Sequence, residues 1–306
     1  MFFRMLFSGF LAFTSTACST APSHPQTGTP LAYDTKGRPA TEVLVNDQGP
    51  FKFVIDTAAQ TVAVGGQLIE DLNLQPDPDN KAQLHGAAGA TEVSLYPLKT
   101  LEVGGEVFED LLAPTLAHVP DTDAVGILGM SSFSDARVTF DRKNGMFRVE
   151  REALHRPDDG TKRLPIDFIY GTFARVQINV DGIVATAIID SGAKSSIGNL
   201  ALMRALDLTQ GDGTLKNEDR KEGVTGDEAS FVTGYTAEVT LAESSLAPIP
   251  LEFSDLHVFS TLQVSEGPAL LLGNDVLNQL DLYGIDFKAE TFFFTPPAQR
   301  SEGHEH

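Results

Sequence analysis

Two stretches of the chain follow one pattern, and that pattern decides the fold. The first reads Phe53-Val54-Ile55-Asp56-Thr57-Ala58-Ala59, and the second reads Ala187-Ile188-Ile189-Asp190-Ser191-Gly192-Ala193. Each is an apolar run, typical of a buried strand, that ends in an aspartate, a hydroxyl residue and two small residues. Their recurrence indicates that one structural unit is present twice.

The similarity continues after each aspartate. Two leucines follow each one at matching distances, namely Leu72, Leu74, Leu206 and Leu208. They end short predicted helices over about 67–72 and 199–206, and Asn199 is a suitable N-cap for the second. The repeated unit therefore contains at least a strand, an aspartate-containing turn and a short helix.

Two glycine motifs also recur in the same order. The first is a glycine-rich tip between strand-like segments, with its glycines at Gly86, Gly89, Gly223 and Gly226. The second is a pair of apolar residues followed by glycine, with its last two residues at Leu128, Gly129, Leu272 and Gly273. Each apolar-apolar-Gly motif is followed by a short predicted helix and a hairpin.

Three hairpins are predicted from turn chemistry and alternation. Asn144-Gly145 lies at the turn of a hairpin over 137–149, and Asp181-Gly182 joins a strand over 176–180 to one over 183–189. A third hairpin is predicted over 282–294. The sequence thus predicts a mainly all-β protein with short helices, in two halves: a first lobe over 34–153 and a second lobe over 164–295.

Composition and charge limit the function. The chain has 306 residues, of which 42% are hydrophobic, so it can form a sizeable core. Its 22 Lys+Arg against 42 Asp+Glu give a net charge of −20, which opposes nucleic-acid binding. One cysteine excludes an intrachain disulfide, and no histidine spacing matches a metal motif, so we expect no metal and no cofactor.

The N-terminus is typical of an export signal. Residues 1–17 have a short cationic start and a short apolar run, and Ser15-Thr16-Ala17-Cys18 resembles a lipobox with Ser15 in place of the usual leucine. We predict lipidation of Cys18, with a flexible tether over 18–33 and a flexible tail over 296–306. Ordinary signal cleavage with an incidental cysteine is the alternative. The expected location is the cell envelope, anchored by lipid and facing the periplasm.

The repeated motifs resemble the aspartic protease superfamily, and in particular its retropepsin-like bacterial exported members. The resemblance covers about residues 40–294 and implies two closed β-barrel lobes related by a pseudo-twofold axis. It implies a monomer that forms a pseudo-dimer within one chain and places one aspartate of each lobe in a shared cleft. The implied activity is that of an aspartic endopeptidase, a hydrolase, acting on an extended peptide or protein.

The resemblance implies a role for each motif residue. Asp56 and Asp190 are the catalytic pair, since two close carboxyl groups share one proton and can act as base and acid together. Thr57 and Ser191 are expected to reach across the axis and lock the aspartate loops. The glycine-rich tips are expected to be flaps over the substrate, although the first lacks the tyrosine of pepsin-like flaps.

One position departs from the family pattern. Ala58 stands where glycine is usual, whereas Gly192 keeps the pattern in the second copy. A Cβ at position 58 either fits or crowds the loop and tilts Asp56. The alternative function is therefore a catalytically inactive lipoprotein that binds peptides or an envelope protein, and a further option is an enzyme that acts on a single partner.

Overall fold

The structure is a computed structural model that describes residues 28–86, 89–116, 122–151, 160–209, 215–221 and 228–297. Strands predominate among these residues and the helices are short, which confirms the predicted all-β class. None of the helices in these ranges has the length and apolar character needed to cross a bilayer.

The elements up to residue 151 include two short strands that precede residue 34, where the first lobe was predicted to begin. The strands are β1 (Thr29–Pro30), β2 (Ala32–Tyr33), β3 (Pro39–Val45), β4 (Gln48–Ile55), β5 (Ala63–Gly65), β6 (Lys81–His85), β7 (Ala90–Val103), β8 (Glu106–Leu116), β9 (Gly126–Leu128), β10 (Arg137–Asp141) and β11 (Met146–Glu150). The helices are α1 (Gly66–Asp71) and a single 3₁₀ turn, Met130–Phe133.

The elements from residue 160 onward form the second half. The strands are β12 (Lys162–Ile169), β13 (Phe173–Val180), β14 (Ile183–Ile189), β15 (Ile197–Gly198), β16 (Lys216–Lys221), β17 (Glu228–Ala237), β18 (Val239–Leu241), β19 (Ser244–Ser245), β20 (Ile249–Phe253), β21 (Ala269–Leu272), β22 (Leu282–Asp286) and β23 (Thr291–Thr295). The helices are α2 (Leu200–Ala205), α3 (His257–Thr261) and α4 (Asn274–Leu277).

The two lobes have the same strand order. In the first lobe the order is β2-β3-β4-β9-β5-β8-β7-β6, and in the second it is β12-β13-β14-β21-β15-β20-β17-β16. The directions match as well, because β9 lies parallel to β4 as β21 lies parallel to β14. The repeat found in the sequence is therefore a repeat of topology.

The second helix forms where the sequence predicts it. Asn199 is the N-cap of α2, and its Oδ1 accepts a hydrogen bond from the Leu202 N–H at 2.8 Å. This bond satisfies one of the N–H groups that the first turn of a helix leaves without a partner. The helix ends at Ala205, next to the leucine pair that the repeat comparison identified.

A shared sheet joins the two lobes, in the order β1-β11-β10-β22-β23-β12. At its centre β10 and β22 are antiparallel, with Phe140 opposite Tyr283. These buried rings stack at a centroid distance of 4.5 Å, and the Arg137 guanidinium lies 2.6 Å from the Asp286 carboxylate. The sheet is symmetric about its centre and fixes how the lobes face each other.

The structure corrects one sequence prediction and adds a feature that was not predicted. Hairpins from both lobes join in one shared sheet, in addition to the strands of each lobe. The tether predicted over 18–33 is wrong for its last part, since β1 pairs with β11 and β2 pairs with β3. Local composition could not reveal these pairings, because the partner of β1 lies more than a hundred residues away in the sequence.

Some predictions concern residues outside the described ranges. These are the signal segment with Cys18, most of the tether, the join over 152–159 and the tail from residue 298. The three predicted hairpins lie within the described part and form as β10–β11, β13–β14 and β22–β23.

Candidate active site

The two aspartates occupy equivalent positions at the ends of equivalent strands. Asp56 follows β4 and its N–H donates to the Leu128 carbonyl at 3.0 Å. Asp190 follows β14 and its N–H donates to the Leu272 carbonyl at the same distance. The apolar-apolar-Gly motif of each lobe therefore holds the aspartate loop of that lobe.

Reciprocal hydrogen bonds tie the two loops together. The Thr57 hydroxyl donates to the Ile189 carbonyl at 2.6 Å and accepts from the Ser191 N–H at 2.9 Å. The Ser191 hydroxyl donates to the Ile55 carbonyl at 2.7 Å and accepts from the Thr57 N–H at 3.0 Å. Both side chains are fully buried, so water cannot replace these bonds.

Backbone amides orient each carboxylate. The Ala58 N–H donates to Asp56 Oδ1 at 2.9 Å, and the Ala193 N–H donates to Asp190 Oδ1 at 2.9 Å. Asp190 is only 8% exposed, whereas Asp56 is half-buried. The carboxyl groups are thus held by rigid backbone rather than left to rotate.

The Asp56 carboxylate reaches across the seam between the lobes. A Cβ placed on Gly192 would lie 2.2 Å from Asp56 Oδ2 and 2.3 Å from its carboxyl carbon. The carboxylate of the first lobe therefore rests against the backbone of the second aspartate loop. Glycine at position 192 makes this approach possible.

Burial raises the pKa of both carboxyl groups, and repulsion by Asp56 raises that of Asp190 further. Burial is the largest cause for each, and the negative charge of Asp56 helps to raise the pKa of Asp190 to about 8. Backbone N–H groups and the Arg38 guanidinium act in the opposite direction on both. A buried pair of like charges that titrates together is the condition under which two carboxyl groups share one proton.

The structure accommodates alanine at position 58, where the family pattern has glycine. It is half-buried and packs against an apolar cluster of the second lobe, here named the second-lobe cluster. The cluster consists of Ile169, Ile188, Phe231, Leu256, Phe259, Leu262, Val264, Ala269 and Leu271. The methyl group therefore has an apolar surface to contact, and the Ala58 N–H still donates to Asp56.

Glycine in the apolar-apolar-Gly motif follows from close packing. A Cβ on Gly129 would lie 2.3 Å from the Thr61 carbonyl oxygen, and one on Gly273 would lie 2.6 Å from the Ser195 carbonyl carbon. Real Cβ atoms do not approach other atoms this closely. Glycine is therefore required as the last residue of each apolar-apolar-Gly motif.

The first predicted flap is a hairpin, and the second is described only in part. Gly86 donates its N–H to the Gly89 carbonyl at 2.8 Å, where β6 turns into β7. His85 at the end of β6 stacks on His257 of α3, with ring centroids 6.2 Å apart, so this hairpin reaches the second lobe. Gly223 and Gly226 lie outside the described residues, between β16 and β17.

Sequence reasoning missed two residues that act on the aspartate loops, Asn274 and Arg38. Asn274 donates its amide to the Ser191 and Ala193 carbonyls at 2.7 and 2.8 Å, and Met130 holds the equivalent place in the first lobe. An asparagine directly after the second glycine motif was a usable signal. Arg38 gave none, because its effect on the aspartates follows from the register of β3 and β4.

No other chemistry is indicated at this site. Within the described ranges, no three histidine, cysteine or carboxylate side chains are grouped as metal ligands would be. The two carboxyl groups are buried and close enough for the charge of Asp56 to raise the pKa of Asp190, and such a pair can share one proton.

A family comparison agrees with the geometry. Residues 41–135 match the model of the gag-polyprotein putative aspartyl protease. The match covers Asp56 and the first apolar-apolar-Gly motif, and it confirms the predicted resemblance to the aspartic protease superfamily. A search of curated proteins found no match. The family match supports a protease, and hence a hydrolase, as the general function.

Proposed function

We propose that the protein is an aspartic endopeptidase that hydrolyses peptide bonds through Asp56 and Asp190. The observation that carries the proposal is the reciprocal bonding of Thr57 and Ser191, which joins the two aspartate loops across the lobes. This locking matters because displacing a catalytic group by about 1 Å costs about 10²-fold in rate.

The proposed reaction needs one water and one shared proton. The ionised carboxylate takes a proton from the water while the oxygen of the water attacks the peptide carbonyl carbon. The protonated carboxyl donates a hydrogen bond to the oxygen that becomes negative. The C–N bond then breaks, and the nitrogen leaves with a proton delivered through the pair.

The proposed substrate binds as an extended chain. Such a chain would add a strand beside the flap hairpin β6–β7, and its alternate side chains would enter pockets. A protein or peptide segment without fixed structure satisfies this requirement.

The proposed setting is the cell envelope. It is supported by the cationic and apolar start of the sequence and by Cys18 in a lipobox-like context. Replacing Cys18 with Ser should move the protein from the membrane fraction to the soluble fraction and remove the mass of the lipid. An unchanged distribution and mass would favour ordinary signal cleavage.

Proteolysis assays test the activity directly. The purified protein should cleave casein and peptides of a random library between about pH 3 and 7, and Asp56→Asn and Asp190→Asn should each lower the rate by about 10²–10⁴-fold. Asp110→Asn makes the same chemical change at an exposed position of β8 and serves as the matched control.

The possible results separate the candidate functions. Equal cleavage by the wild type and both dyad variants would assign the activity to a contaminant and reject the proposal. A wild type that shows no cleavage over the whole pH range but still binds library peptides would favour the inactive peptide-binding alternative.

A further inference from the structure

Two histidines from different lobes lie in contact at the boundary between the lobes. His85 ends β6 in the flap hairpin, and His257 begins α3 of the second lobe. Their imidazole rings have centroids 6.2 Å apart and planes inclined by 17°. Both side chains are exposed, and within the described ranges neither imidazole takes part in a hydrogen bond or an ion pair. Their ring nitrogens are therefore available to a ligand from solvent.

The backbone beneath each histidine is held by packing and pairing. Leu256 and Phe259, on either side of His257, are buried in the second-lobe cluster. His85 pairs with β7 across the hairpin, and Leu84 before it packs against a first-lobe cluster. That cluster consists of Val54, Ala63, Leu116, Ala124 and Ile127. The fold itself therefore brings the two rings together, and a ligand that binds both need not order the chain.

The spacing of the rings fits two imidazoles that share one metal ion. A ring nitrogen lies about 1.1 Å from its ring centre and about 2.0–2.1 Å from a bound Zn²⁺, so two rings on one ion have centres about 5 Å apart at a tetrahedral angle and about 6.3 Å apart in line. The observed 6.2 Å lies within this interval. Because both side chains are exposed, small rotations bring one nitrogen of each ring to the ion.

The chemistry of the pair selects a divalent transition metal. Imidazole nitrogen suits Zn²⁺ and Cu²⁺, whereas Mg²⁺ and Ca²⁺ require oxygen ligands. Two protein ligands are fewer than those of a catalytic or structural zinc site, so water completes the coordination and the ion can leave. The net charge of −20 adds a long-range attraction for any cation. No motif in the sequence signals the pair, because its members come from different lobes.

We propose that His85 and His257 together bind a Zn²⁺ ion that bridges the flap hairpin and the second lobe. Ala58 packs against the cluster that holds α3, and Ala59 packs against the cluster that holds β6, so the bridge lies beside the first aspartate loop. Its consequence for cleavage rests on the proposed function. An ion that ties β6 to α3 holds the flap hairpin against the second lobe, which slows substrate entry and product release.

NMR of ¹⁵N-labelled histidine side chains tests the site without requiring activity. The wild type, His85→Asn and His257→Asn are titrated with Zn²⁺ at about pH 7.5, where free imidazole is mostly neutral. The matched control is His304→Asn combined with His306→Asn, because the His-x-His spacing of that segment also suits a metal ion. In the wild type and the control, the signals of His85 and His257 should shift together at one Zn²⁺ concentration.

Loss of either ligand should weaken the site. His85→Asn and His257→Asn should each raise the Zn²⁺ concentration needed to shift the remaining signal of the pair by about tenfold or more. In the cleavage assay, saturating Zn²⁺ should slow the wild type and the control by about fivefold or more, and removal of the ion with a chelator should restore the rate. The two pair variants should be unchanged by Zn²⁺ within about twofold.

The outcomes distinguish this inference from the proposed function. Zn²⁺ that shifts only the signals of His304 and His306, or binding that is unchanged in His85→Asn and His257→Asn, would overturn the site. Joint binding without any effect on the cleavage rate would confirm the site and overturn its inhibitory role. Joint binding in a protein that cleaves no substrate would support the site and reject the proposed function.

Discussion

The two lobes share a strand order but differ at the aspartates. Position 58 is alanine and position 192 is glycine, and the residue after the second glycine motif is Met130 in one lobe and Asn274 in the other. Topology has therefore been kept while the surroundings of the two carboxyl groups have diverged. Two aspartate loops on one chain permit this, because each half can change independently of the other.

The difference at positions 58 and 192 gives the largest expected effect. Gly192→Ala would place a methyl group 2.2 Å from Asp56 Oδ2, so the carboxylate must move and the cleavage rate should fall by about 10²-fold or more. Ala58→Gly should keep activity within about tenfold, because it opens space. Steady-state kinetics on one library peptide compares them, and equal losses would show that the two positions do not differ in the space they leave for a methyl group.

Removing the cross-lobe hydrogen bonds from either lobe should lower the free energy of unfolding by a similar amount. Thr57→Val and Ser191→Ala each leave a buried carbonyl and N–H without their partners, and each should lower the free energy of unfolding by about 2–3 kcal/mol. The double variant should lose less than the sum, because the four bonds form one network. Urea unfolding measures all three, and simple additivity would show that the bonds act independently.

The stability of the protein should depend on pH in a way that an aspartate with an ordinary pKa at position 190 would not produce. Its folded pKa of about 8 lies above the ordinary 3.8, so the wild type should lose stability as the pH rises from about 4 to 8. Asp190→Asn removes this loss and should be more stable than the wild type by up to about 5 kcal/mol near pH 8, with little difference below pH 4. Thermal unfolding at several pH values checks this, and a wild type that gains stability over this window would contradict the raised pKa.

The smallest effect on stability is expected at Asn274, whose side chain adds hydrogen bonds to the second aspartate loop. Asn274→Met copies the first lobe and removes two hydrogen bonds to the Ser191 and Ala193 carbonyls, so it should lower the free energy of unfolding by about 1 kcal/mol. Met130→Asn is the reciprocal change and should destabilise more, because it buries an amide where methionine is fully buried. Unchanged stability of Asn274→Met would show that Asn274 does not brace the loop.

Local patterns predicted much of the fold. The repeated aspartate strands, the Asn199 cap and the turn at Asn144-Gly145 each depend on residues close in sequence, and each forms as predicted. The strands β1 and β2 and the shared sheet were not predicted, because their pairings join distant segments. The effect of Arg38 on the pair follows from strand register, which a single sequence does not reveal.

A crystal structure of the unliganded protein near pH 5 tests the central claim most directly. The account predicts that one ordered water lies within hydrogen-bond distance of both the Asp56 and Asp190 carboxyl groups, at the seam locked by Thr57 and Ser191. Carboxyl groups that point into separate spaces, or that lie too far apart for one water to bridge, would contradict it.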